Sequence, residues 1–180
     1  MNVQHIGVIG AGTMGNGIAQ TCAVAGIDVT MIDVSDAAVE RGIKALSGSL
    51  ERLVKKDKLD PSRKDAALAR VHGSTDYTAL AEVDIVIEAA TENLQLKMSI
   101  LRQIDALVPE ETVIATNTSS ISITQLAAMV AHPRRFIGAH FFNPVPMMAL
   151  LEIIRGLQTS TRPTTACSHS RRPSTRRRSP

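Results

Sequence analysis

The stretch GVIGAGTMGNGIAQ, residues 7–20, admits few folds. Gly10, Gly12 and Gly15 stand in G-x-G-x-x-G spacing between a Val/Ile-rich run that reads as a strand and a segment that reads as a helix. In that setting Gly10 permits a tight turn, Gly12 lets backbone approach a pyrophosphate, and Gly15 lets the helix pack close to the strand. The helix start offers unpaired N–H groups and the positive end of a dipole. An ordinary glycine turn is the alternative, and the strand-loop-helix context argues against it.

The rest of the chain repeats the same alternation. IDVTMID (27–33), VDIVIEA (83–89), TVIAT (112–116) and RFIGAH (135–140) read as strands. Helices are expected over about residues 35–56, 93–107 and 123–130, with a shorter one after a break at Asp60-Pro61. In the first of these Val39, Ile43, Leu46, Leu50 and Leu53 form one stripe, and Ser35 suits its N-cap. Strands alternating with helices imply an α/β fold, here a Rossmann-type doubly wound, mostly parallel sheet with helices on both faces.

Charge divides the chain unevenly. The formal net charge is +3, yet residues 159–180 hold six Arg and no acid, leaving a net of −3 on the preceding 158 residues. The tail, TSTRPTTACSHSRRPSTRRRSP, lacks Leu, Ile, Val, Met and aromatics. It is therefore expected to be disordered, which places one domain at 1–158 and a disordered basic tail at 159–180. A nucleic-acid role for this arm is disfavoured, because it has no stacking residues and no helical pattern. No apolar run reaches the length of a membrane span, and the N-terminus enters a strand at once, without the pattern of a signal peptide. Cys22 and Cys167 show no metal or redox spacing and suit a reducing, cytoplasmic setting; no metal site is expected. Cys22 falls on the apolar side of the first helix.

Asp33 ends the second strand, 18 residues after Gly15. A carboxylate there can accept hydrogen bonds from both ribose hydroxyls of an adenosine and would repel a 2′-phosphate, so NAD is expected over NADP. Further on, HFFNPVPMMALLEI (140–153) holds a lone acid, Glu152, in an apolar run. If the chain reverses around Pro146, His140 and Glu152 come opposite each other, each six residues from the apex. An imidazole takes up a proton near neutral pH, and a carboxylate on its other nitrogen would fix the tautomer and steady the imidazolium. A hydrogen-bonded structural histidine fits these residues as well.

Four segments together, GVIGAGTMGNGIAQ, IEAATENLQLK, ATNTSSISI and GAHFFNPVPMMALLEIIRG, resemble the NAD-binding domain of the 3-hydroxyacyl-CoA dehydrogenases, including the 3-hydroxybutyryl-CoA dehydrogenases. The likeness covers about residues 3–158. It implies NAD-dependent oxidation of a short-chain (S)-3-hydroxyacyl-CoA, or the reverse reduction, in fatty-acid or butanoate metabolism. It assigns His140 as general base and Glu152 as the residue that orients it. Ser119 matches a serine contacting substrate and nicotinamide, and Asn117 a residue of the same corner on the substrate side. Met14, Glu92 and Lys97 match residues at the nicotinamide half of NAD, and Asn143 matches a cofactor-contacting asparagine. Ser49 and Lys56, seven apart on one helix face, match residues that hold the phosphorylated end of coenzyme A. Competing readings remain for several of these. Asn117 and Ser119 suit a helix cap, and Ser49 and Lys56 a solvated basic face.

The resemblance also implies a helical C-terminal domain, which in the family carries the dimer contact and closes over the acyl chain; the arginine-rich tail stands in its place. A truncated or frame-shifted member is the expectation, retaining cofactor affinity with impaired turnover. An NAD-binding remnant without chemistry is the alternative from another class. A dehydrogenase of free hydroxy acids is a third reading, which HFFNP disfavours.

Overall fold

The computed structural model describes residues 3–169. Its strands are β1 (His5–Ile9), β2 (Asp28–Ile32), β3 (Val71–Ser74), β4 (Ile85–Glu88), β5 (Val113–Thr116), β6 (Phe136–Phe141) and β7 (Leu151–Ile154). They form one sheet in the order β3-β2-β1-β4-β5-β6-β7. All neighbours run parallel except β7, which returns antiparallel to β6. The chain winds outward from β1 to β3, then crosses to β4 on the other side of β1. That reversal opens a crevice at the carboxyl ends of β1 and β4, where open α/β sheets bind ligands.

The helices are α1 (Thr13–Val24), α2 (Asp36–Lys55), α3 (Pro61–Leu68), α4 (Leu94–Leu107), α5 (Ile123–Ala127) and α6 (Thr161–His169). The period of two along each strand assigns them to faces. Ile6 and Val8, Val29 and Met31, Ile85 and Ile87, Val113 and Ala115, and Ile137, Ala139 and Phe141 enter one core with α1, α2 and α6. Ile9, Ile32, Val86, Ile114 and Phe136 enter the other with α4 and α5. His140 alternates with Phe136 and Gly138, so it belongs to the α4/α5 face, as do Glu88 and Thr116.

The caps follow from sequence. Ser35 Oγ accepts from Ala38 N, Asp60 from Ser62 N with Pro61 at the first helical position, and Asn93 from Leu96 N. Each such cap stabilises its helix by about 1 kcal/mol.

Two elements differ from expectation. β3 forms from Val-His-Gly-Ser, whose polarity hides it; pairing with β2 supplies the backbone partners that the side chains do not advertise. The second difference corrects the disorder expected from residue 159. Thr159 Oγ1 donates to the Phe136 carbonyl, Ser160 N and Oγ both donate to the Arg134 carbonyl, and α6 then packs against β5, β6 and β7. Pro163, Ala166 and Cys167 are buried there. The absence of large aliphatics suggested too little surface to order the segment, but small side chains on a helix that satisfies its own backbone suffice against a ready-made sheet. The expected disorder of 170–180 lies outside the described residues.

Candidate functional site at the carboxyl ends of the strands

Gly10 leaves β1 with φ +100°, a backbone only glycine adopts without strain, and a side chain there would strike Ala89 and Ala90. A Cβ on Gly15 would lie 1.6 Å from the Gly10 carbonyl oxygen, so the close pass of α1 over the turn requires glycine. Gly12 differs: a Cβ there meets nothing within 4 Å. It also caps α1 without a side chain, and no acid sits in the first turn. The amides at this helix start are left to an outside acceptor, above open space that a phosphate can enter. Met14, half-buried, packs beside them against the core.

Asp33, just past β2, has a second task. Its Oδ2 accepts Ala11 N at 2.7 Å and its Oδ1 accepts Val34 N at 2.7 Å. The carboxylate thus braces the glycine turn and retains further lone pairs. Tyr77, which no motif marks, sits near it; burial, then the charges of Asp33 and Glu88, push its phenol up from the usual range.

β4 ends on Glu88, which is fully buried with Lys97 and Thr116. Lys97 Nζ donates to Glu88 Oε2 at 2.5 Å and to Thr116 Oγ1 at 3.3 Å, and Thr116 Oγ1 donates to Glu88 Oε2 at 2.7 Å. The ammonium of Lys97 is therefore turned inward, beneath the crevice, rather than standing on an open surface. Glu92 is exposed and accepts Thr118 Oγ1 at 2.8 Å.

His140 and Glu152 form a directly opposed pair of the β6–β7 ladder, and His140 Nδ1 lies 2.9 Å from Glu152 Oε2. Phe142 stacks on the imidazole, ring centroids 4.5 Å apart and tilted by 51°, whereas Phe141 faces the other core. Asn117 is buried; its Oδ1 accepts Phe141 N at 2.8 Å and so ties β5 to β6 beside the histidine. Ser119, His140 and Glu152 line one cleft of about 440 Å³. Asn143 is exposed at the start of the following turn, and its peptide bond to Pro144 is cis. That turn reaches back to the glycine helix: a Cβ on Gly17 would lie 2.9 Å from Val145 Cβ. Ser49 on α2 and Lys56, just past its end, share a smaller cleft, about 190 Å³, with Arg52, Lys58, Pro144 and Met147.

The structure thus gathers the glycine turn, Asp33, Glu92, Asn117, Ser119 and His140 at the carboxyl ends of successive parallel strands. A family profile described as "3-hydroxyacyl-CoA dehydrogenase, NAD binding domain" matches residues 5–170. The chain belongs to that family. The 3-hydroxybutyryl-CoA dehydrogenase of Bradyrhizobium diazoefficiens is 45% identical over 157 residues, covering 87% of this chain and 54% of that protein. The 3-hydroxyadipyl-CoA dehydrogenase of Escherichia coli is 44% identical over 160 residues, covering 89% and 34%. Among solved structures, the (S)-3-hydroxybutyryl-CoA dehydrogenase of Ralstonia eutropha superposes with a TM-score of 0.91 at 58% identity, covering 94% of this chain and 60% of that one. The chain spans about half the length of the 3-hydroxybutyryl-CoA dehydrogenase it matches. The family is described as NAD-binding, and this chain carries an open glycine-capped helix start and a carboxylate just past β2. No described helix is long and apolar enough to cross a membrane.

Proposed function

We propose that this chain binds NAD at the β1/β4 crevice and that His140 and Glu152 serve proton transfer in the oxidation of a short-chain (S)-3-hydroxyacyl-CoA, or in the reverse reduction. One observation carries the reading: the 2.9 Å contact between His140 Nδ1 and Glu152 Oε2, made at the carboxyl end of the sheet in a cleft shared with Ser119. NAD, when bound, supplies the acceptor for the hydride leaving the carbon that bears the hydroxyl. With Nδ1–H donated to the carboxylate, Nε2 is the ring's basic atom and takes the hydroxyl proton. Glu152 holds the ring's orientation and steadies the imidazolium. Ser119 donates to the substrate oxygen from the same cleft. Glu92 and Asn143 flank the nicotinamide half, and Lys97 supports the floor of the crevice through Glu88 and Thr116.

Ser49 and Lys56 take the phosphorylated end of coenzyme A, with lysine as a point charge for phosphate. Arg52 and Lys58 keep that cleft basic. A cytoplasmic setting suits the two buried thiols, Cys22 and Cys167.

A second reading confines the 180-residue chain to NAD binding. It is favoured by the exposed apolar side chains of the segment around β7, where Met147 is 59%, Leu150 52% and Leu157 90% exposed. Substrate held on so open a surface lacks the enforced approach that hydride transfer requires. Titration with NADH followed by acetoacetyl-CoA distinguishes the two. NADH binding with slow, His140-dependent oxidation supports the first reading; binding with no oxidation selects the second. Failure to bind NADH refutes both.

A further inference from the structure

Glu88 is a fully buried carboxylate that neither hydride nor proton transfer uses. Burying an ion pair is costly, and well-packed apolar residues often stabilise a core as well or better. Its position suggests what the pair does instead. Glu88 is the last residue of β4, paired in register with Ile9 and Thr116 at the mouth of the crevice. Its two oxygens point to different elements. Oε2 takes Lys97 of α4 and Thr116 of β5, while Oε1 accepts the backbone N–H of Ala90 at 3.0 Å. Ala89 and Ala90 are the residues that any side chain on Gly10 would meet, at 2.8 Å. The carboxylate therefore fixes the turn after β4 against the first glycine of the phosphate loop.

We infer that Glu88 is a positioning residue for the dinucleotide: through the Ala90 amide it sets the wall of the crevice opposite Gly10, while Lys97 balances its buried charge and Thr116 anchors its other oxygen. This rests on the NAD reading above. A neutral acceptor of the same length preserves the Ala90 contact once the lysine charge is also removed; an apolar side chain does not.

The test compares two double variants, E88Q/K97M and E88L/K97M, neither of which leaves a buried charge unpaired. NADH dissociation constants come from fluorescence titration and folding from circular dichroism melts. The expected result is two folded proteins, with E88L/K97M binding NADH about tenfold more weakly than E88Q/K97M, because leucine leaves the Ala90 N–H without its acceptor. Equal affinities overturn the inference. NADH binding by the unsubstituted chain is measured alongside. Its absence overturns the NAD reading and this inference with it, whereas binding there and equal affinities in the two variants overturn the inference alone. Should E88L/K97M not fold, amide exchange on the unsubstituted chain decides. A strongly protected Ala90 amide supports the assignment, and one exchanging like an open loop overturns it.

Discussion

The side-chain oxygen of Asn117 accepts the backbone N–H of Phe141 at 2.8 Å, one residue beyond His140. The contact joins the ends of β5 and β6 and explains why a polar residue is buried at a strand terminus. Replacing it, Asn117→Ala, leaves a buried N–H without its acceptor. We expect a loss of about 1–3 kcal/mol in urea-induced unfolding. A change below about 0.5 kcal/mol would place Asn117 outside the framework of the cleft.

Gly12 and Gly15 separate binding from folding. Gly15→Ala forces a Cβ to within 1.6 Å of a carbonyl oxygen, so melting should reveal a destabilisation above about 3 kcal/mol or no folded protein. Gly12→Ala meets nothing within 4 Å and should melt like the parent. It should nonetheless weaken NADH binding about tenfold or more, because its methyl group occupies the approach of the pyrophosphate. Parental affinity in Gly12→Ala would mean that the phosphates lie elsewhere.

Asp33 should set the choice of cofactor. Its carboxylate already holds the Ala11 and Val34 amides and would lie against a 2′-phosphate. NADH is expected to bind at least about tenfold more tightly than NADPH. Comparable dissociation constants would contradict the assignment of Asp33 to the ribose.

Burial of Cys167 against the sheet pushes its thiol from the usual 9.0 up to about 12. The folded state thus favours the protonated thiol. The contribution to stability is complete below pH 9.0 and is lost as pH rises toward about 12. Unfolding midpoints followed from pH 8.5 upward should fall less steeply in Cys167→Ala than in the parent. At pH 8 a thiol reagent should react with Cys167 only after denaturation. Immediate reaction in native protein would show that α6 does not dock as described.

How much of this was legible in the sequence depends on which force made each feature. The glycine turn, the cap at Ser35, the break at Asp60-Pro61 and the apolar stripe of α2 are local chemistry, so they could be read directly. The meeting of His140 and Glu152 followed from equal spacing about Pro146, because a hairpin-like return aligns such residues. β3 and α6 could not be read so, since both owe their order to partners far along the chain. Glu88 was missed for a related reason. A single acid at the end of an apolar strand shows nothing until Lys97, Thr116 and the Ala90 amide converge on it. Lys97 was legible as a crevice residue, but its inward orientation was not.

The most direct test of the central claim is single-turnover oxidation of bound NADH by acetoacetyl-CoA, compared between the parent chain and His140→Gln. Both proteins should bind NADH equally well, and the parent's oxidation rate should fall about 100-fold or more in the variant. Oxidation by His140→Gln at the parental rate, or failure of the parent to bind NADH, would contradict that claim.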